Sequence, residues 1–168
     1  MTRIRLRRWL VAMIAGLTVL GGVVAGPATA ADSPIGRIGD TLRVEYEGLV
    51  VDVTVHRVLP SPVPPGFGYP PRPPRHEVWR ADVTVHPIRV PMAHLLSTVF
   101  SFRGITPTGD AYEPRNTDAP DDLRLALLNA PAGSTVSGGV WWDCYRDLVS
   151  NVVLIDRTTG FHLAQWNL

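Results

Sequence analysis

Residues Glu77–Arg89, EVWRADVTVHPIR, alternate apolar and polar side chains over most of their length. Trp79, Ala81, Val83 and Val85 fall on one side, and Arg80, Asp82, Thr84 and His86 on the other. Successive strand side chains point to opposite faces, so this is the pattern of a strand with one side in a core and one in water. On a helix the four apolar residues would scatter around the circumference. The stretch is therefore read as a central strand of an antiparallel sheet, with Trp79 in the core and Pro87 close to where the ladder ends.

The same period returns along the chain. In Ile38–Tyr46, Leu42, Val44 and Tyr46 alternate with Arg43 and Glu45; after a Glu47-Gly48 turn, Leu49–Val58 alternates again. Thr98, Phe100 and Phe102 mark another strand, Thr106–Asp110 a turn, and Asp110–Glu113 the start of a return strand. Thr135–Tyr145 reads as a strand in which Gly138-Gly139 marks a bulge or a close backbone approach. Asn151–Arg157 and Phe161–Asn167 form a last hairpin across Asp156–Gly160. Leu123–Leu128 fits either a short helical turn begun by Asp121 or Asp122 or an irregular strand. Between the second and third strands lies Pro60–Pro74, with eight prolines in 15 residues interleaved with Phe67 and Tyr69. Proline removes ladder donors and fixes φ, so this is an ordered or semi-rigid connection and not a strand. It is read as a crossover loop whose aromatics pack on the sheets, the alternative being a ligand for polyproline-binding domains.

Seven or more short strands separated by Gly/Pro turns imply an all-β fold, an immunoglobulin-like antiparallel β-sandwich. Cys144 is the only cysteine, so the sandwich forms without an intrachain disulfide. The domain is assigned to residues 31–168, with the proline-rich loop at 60–74. About 138 residues bury roughly two-thirds of their unfolded surface, enough for an ordinary core.

Residues 1–30 read as a cleaved signal peptide. Arg3, Arg5, Arg7 and Arg8 precede an apolar run from Trp9, and Ala28-Thr29-Ala30 supplies small residues for cleavage before Ala31. The run is short for a membrane span and is interrupted by Gly16, Gly21 and Gly22, so no span is expected after cleavage. Arg7-Arg8 faintly matches a twin-arginine signal, and the general secretory route is preferred. Processing removes four of the 16 basic residues and none of the 15 acidic ones, leaving a net charge of −3. A mildly acidic domain is a poor partner for nucleic acid or anionic membranes.

Few residues suggest chemistry. There is no GxSxG, HExxH, CxxC pair, P-loop or Rossmann glycine pattern. Cys144 has only Arg146 as a basic neighbour in sequence and is expected to be a buried, inert thiol. Trp141-Trp142 places one indole on each face of a strand, one in the core and the other exposed or under a loop. Beside Phe67 or Tyr69, an exposed indole would make a stacking platform for a sugar or peptide; the alternative is two buried aromatics. DVTVH occurs twice, at Asp52–His56 and Asp82–His86. If the copies are antiparallel neighbours with Thr54 opposite Thr84, Asp52 faces His86 and His56 faces Asp82. That register makes a salt-linked polar ladder, or a zinc or copper site from Asp52, His56, Asp82 and His86.

Several short strings resemble the small secreted immunogenic antigens of mycobacteria. They are Ile35-Gly36 with Ile38-Gly39, the Pro65–Pro71 stretch PGFGYPP, and Val78–Ala81 through Thr84-Val85. Ile88-Arg89, the Phe100–Tyr112 hairpin and Trp166 continue the match, whereas Leu123–Ala130 and Trp141–Tyr145 fit loosely and the proline-rich loop is longer. The resemblance implies an immunoglobulin-like sandwich exported to the medium or envelope, with no established enzymatic activity and no catalytic residues to carry over. The expectation is a secreted, non-enzymatic binding module for an unidentified protein or surface ligand, needing no cofactor, with metal binding as the alternative.

Overall fold

A computed structural model describes residues 33–168. The expected signal peptide lies outside the described residues. Nine strands and two single-turn helices follow in order: β1 (Ile35–Arg37), β2 (Thr41–Tyr46), β3 (Leu49–Pro60), β4 (Glu77–Arg89), α1 (Leu95–Val99), β5 (Phe100–Ile105), β6 (Ala111–Tyr112), α2 (Leu123–Leu127), β7 (Val136–Cys144), β8 (Asn151–Asp156) and β9 (His162–Asn167). One sheet runs β1-β9-β8-β5-β6 and the other β2-β3-β4-β7. All pairings are antiparallel except β1 with β9. The two sheets face each other as an immunoglobulin-like sandwich, and its one cysteine is free.

Period-2 patterning builds the core. Val51, Val53 and Val55 of β3 and Ala81, Val83 and Val85 of β4 are buried in alternation with partly exposed polar residues. They pack in one cluster with Phe100, Phe102, Val152, Leu154 and Trp166 of the other sheet. Leu123–Leu127 resolves as a helical turn because Asp122 caps it, its carboxylate accepting from the Arg124 N–H at 2.8 Å.

Three expectations change. The strand read from Ile38 begins only at Thr41, because Ile38-Gly39 is a turn; before it the unforeseen β1 pairs with β9, while β2 pairs with β3, the chain changing sheets through that turn. The strand read from Thr98 begins only at Phe100, because Leu95–Val99 is helical. Trp79 is only half-buried. It sits opposite Pro60, the last pair of the β3–β4 ladder, where the core thins, and its Nε1 donates to Glu77 at 3.0 Å. Trp142 and Trp166 are the fully enclosed indoles, both at 0% exposure; Nε1 of Trp142 donates to the Phe102 carbonyl and that of Trp166 to the Asp40 carbonyl, each at 3.0 Å.

Of the two readings of Gly138-Gly139, the close approach holds, and the β4–β7 register runs through without a shift. A Cβ on Gly138 would lie 2.7 Å from both the Asp121 carbonyl oxygen and the Leu123 Cα. Gly139 N–H donates to Asp121 O at 2.7 Å, and Arg115 N–H to Trp141 O at 2.8 Å. The segment before α2 thus covers the free edge of β7, which would otherwise offer unpaired backbone groups to another chain.

Candidate functional site

The repeated DVTVH copies are neighbours. Thr54 pairs with Thr84, Val53 with Val85 and Asp52 with His86, as symmetry requires. Past Val55 the register shifts by one residue, and Arg57 instead of His56 stands opposite Asp82. A bulge places two residues of one strand against one of its partner and re-aims the side chains beyond it. The symmetric pair His56–Asp82 is thereby lost.

Two arginines take the carboxylate. Asp82 forms ion pairs with Arg57 and with Arg80 (2.7 Å), and Arg80 bridges on to Asp121 at 2.6 Å. Asp52 is held by Arg43 through two bonds of 2.9 and 3.1 Å. Hydrogen bonding from Arg43 keeps the Asp52 carboxyl below the usual carboxylate range; burial opposes this, and His86 adds a smaller pull downwards. His86 donates from Nδ1 to the Ser134 carbonyl at 2.6 Å. His56 Nε2 meets Thr84 Oγ1 at 2.8 Å, and Thr84 Oγ1 meets Ser137 Oγ at 2.8 Å. The outer face of β2-β3-β4-β7 is therefore a ladder of arginine–carboxylate pairs and hydroxyls. Among the described residues no group of three or more His, Cys, Asp or Glu is placed to hold a metal. Asp52, His56, Asp82 and His86 form no such group: the carboxylates are taken by Arg43, Arg57 and Arg80, and His86 by the Ser134 carbonyl.

The two tryptophans of β7 lie back to back. Trp142 faces the sandwich interior, while Trp141 faces outward and is covered, at 3% exposure. Phe67 of the proline-rich loop and Ala119 of the segment before α2 cover it, and with Val78 of β4 they make a second, smaller core. The loop is fastened by backbone bonds from Gly68 N–H to Asn116 O and from Asp118 N–H to Pro65 O, both 2.8 Å. At its end the Arg75 N–H donates to the buried Asp143 carboxylate at 2.9 Å. The structure brings Phe67 and Trp141 together and leaves Trp142 in the main core. Of the four aromatics only Tyr69 reaches solvent, at 87% exposure.

Around the loop end stand residues that sequence reasoning passed over. Two guanidiniums lie over the Tyr145 ring, Arg75 at 4.2 Å and Arg146 at 5.5 Å from its centroid, and the ring packs edge-on against Tyr112. Arg72, Arg75 and Arg115 share a concavity with Tyr69. The sequence signal was present in the arginines that flank the prolines, but which of them meet Tyr145 depends on how the loop folds back on β7. Beneath them Cys144 is buried. Burial, reinforced by the Asp143 and Glu77 carboxylates, pushes its thiol up to about 12, so it is not a nucleophile at neutral pH.

No protein-family model and no curated protein matches the chain. Among solved structures it is similar to MPT63, a secreted protein of Mycobacterium tuberculosis, with 22% identity and a TM-score of 0.64, over 82% of this chain and 100% of that one. The yjhA protein of Bacillus subtilis aligns at 13% identity and a TM-score of 0.46, over 79% of this chain and 99% of that one. The likeness to MPT63 is one of fold, and it bears out the resemblance to small secreted mycobacterial proteins at that level.

Proposed function

We propose that the chain is exported, loses residues 1–30, and acts outside the cytoplasm as a non-enzymatic binding module. Its contact surface is the end of the sandwich formed by the proline-rich loop. The observation that carries this reading is a loop pinned from below while its tip stays bare: Phe67 is 5% exposed and Tyr69 is 87% exposed, two residues apart. A pre-ordered loop loses little conformational entropy on binding. Tyrosine and arginine are the residue types that dominate contact surfaces, and the cluster of Tyr69, Arg72, Arg75, Tyr145 and Arg146 supplies both. The partner this surface suits is a protein or surface ligand presenting acidic and aromatic groups. Export is supported by the N-terminal signal pattern and by the fold shared with a secreted protein. Among the described residues no helix is long and apolar enough to cross a membrane.

Residues 31–168, wild type and with Tyr69→Ala plus Arg72→Ala, are immobilised and exposed to bacterial envelope extract and to eukaryotic cell surfaces. Both substituted residues lie on the surface, so the fold is retained. Saturable binding that drops at least tenfold in the double variant is expected. Equal binding by the two proteins would place the contact surface elsewhere.

A further inference from the structure

A cavity of about 210 Å³ opens between β5 and β7 and beside α2. Its apolar wall comes from Phe100, Phe102, Leu123, Leu127 and Val140, all buried. Arg115, Arg124 and Arg157 also line it. None of the polar ladder described above lines it.

The charges in its wall are unevenly matched. Glu113 is paired with Arg103 at 2.6 Å, and the buried Asp122 carboxylate accepts from the Thr117 hydroxyl (2.9 Å) and the Arg124 N–H (2.8 Å). Arg157 spends one guanidinium nitrogen on the Phe100 carbonyl at 3.0 Å. Arg115 reaches Asp143 only at 3.7 Å. The Arg124 Nε is sealed from solvent and has no hydrogen-bond partner among the described residues. A buried donor without an acceptor loses its hydration and regains nothing, and a charged donor loses most. The donors of Arg124 that can face the cavity are its terminal nitrogens, which make no hydrogen bond or ion pair among the described residues.

We infer that this cavity binds a small amphipathic monocarboxylic acid, its carboxylate against Arg124 and Arg157 and its apolar body against Phe100, Phe102 and Leu127. Size limits the body: a cavity of about 150 Å³ takes one benzene ring, so 210 Å³ takes a ring with a short acid arm. Guanidinium groups recognise carboxylates through paired N–H donors. The Asp122 and Glu113 carboxylates in the same wall repel a dianion, which disfavours phosphate esters and selects a single negative charge. The apolar wall supplies affinity and the arginines supply orientation, the usual division in small-molecule sites. Arg115 alone lines both this cavity and the concavity beside Tyr69, and the carboxylate is assigned to Arg124 and Arg157, so either reading can fail without the other.

The test is calorimetric titration of residues 31–168 with phenylacetate, and with phenylacetamide as the uncharged isostere. Amide chemical shifts locate the site, and the thermal midpoint of each variant reports its folding. Phenylacetate is expected to bind at least tenfold more tightly than the amide, with shifts at Phe100–Phe102 and Leu123–Leu127. Arg124→Gln should weaken it at least tenfold, while Tyr69→Ala leaves it unchanged. If Arg124→Gln does not fold, Arg157→Gln provides the same comparison. No saturable binding, equal affinity for acid and amide, or undiminished binding in the folded arginine variant would overturn the assignment.

Discussion

Tyr46 and Asp156 join the two sheets through a single 2.7 Å hydrogen bond from the phenol to the carboxylate. Asp156 also accepts from the Thr158 N–H at 2.7 Å, closing the turn of the β8–β9 hairpin. Burial raises the Asp156 carboxyl, but the hydrogen bonds from Tyr46 and the turn amides outweigh it, and the net shift is downward. A carboxyl depressed in the folded state stabilises above its unfolded pKa of about 3.9 and loses that contribution as pH falls through the folded value. Asp156→Asn should therefore destabilise at pH 7 by about 1.5–3 kcal/mol, the range for a hydrogen bond to a charged group, and by less at pH 3. Urea denaturation at the two pH values checks it, and a gap that does not narrow in acid would show that the charge is irrelevant. The tryptophans give a second expectation at this scale. Trp142→Ala should cost about 3–5 kcal/mol, because the ring is enclosed and its N–H is bonded, and Trp79→Ala clearly less. Alternation in sequence put Trp79 on the core face, which is correct, but said nothing about how far along the strand the core extends. That depends on where β3 stops, at Pro60.

The strands and their faces were readable from side-chain period alone, because one face is buried and a one-residue slip would expose every valine. Where the period failed, the cause was local. The shift between Val55 and Arg57 adds one residue to β3, and nothing in HRVLP announces it. The polar face therefore kept the Asp52–His86 pair foreseen from the repeat and lost His56–Asp82. Arg57 is two-thirds exposed, so its ion pair contributes only about 0–1 kcal/mol, and the packed valines set the register. The junction of α2 with β7 depends instead on a missing side chain. Gly138→Ala would press a methyl group to within 2.7 Å of Leu123 Cα and Asp121 O. Overpacking of this kind costs typically about 1–3 kcal/mol. Hydrogen exchange should show Gly139 N–H, bonded to Asp121 O, losing protection before the amides of β3 and β4. Uniform loss of protection across β3, β4 and β7 would mean that the contact is not a local one.

At the scale of the whole molecule, two cores of unequal size make a sandwich with one dressed end: the main core between the sheets and the Phe67–Trp141 core under the proline-rich loop. The sequence identified the loop as an ordered or semi-rigid connection, since its prolines exclude a strand. It could not tell which of Phe67, Tyr69, Trp141 and Trp142 would be bare, because that follows from the loop folding over β7. Nor could it find the cavity beside α2, which draws its wall from segments far apart in the chain. The proposed export carries its own expectation: intact mass of protein recovered from the medium should correspond to residues 31–168, and full-length product retained in membranes would contradict it. The central claim is that the loop is a rigid platform, and backbone NMR relaxation of residues 61–76 tests it most directly. Gly68, Arg72 and Arg75, whose amides are bonded to Asn116, Phe67 and Asp143, should give order parameters of about 0.85, as in the strands. Values below about 0.6 across the loop would contradict the account, because a mobile loop could not hold Tyr69 in place for a partner.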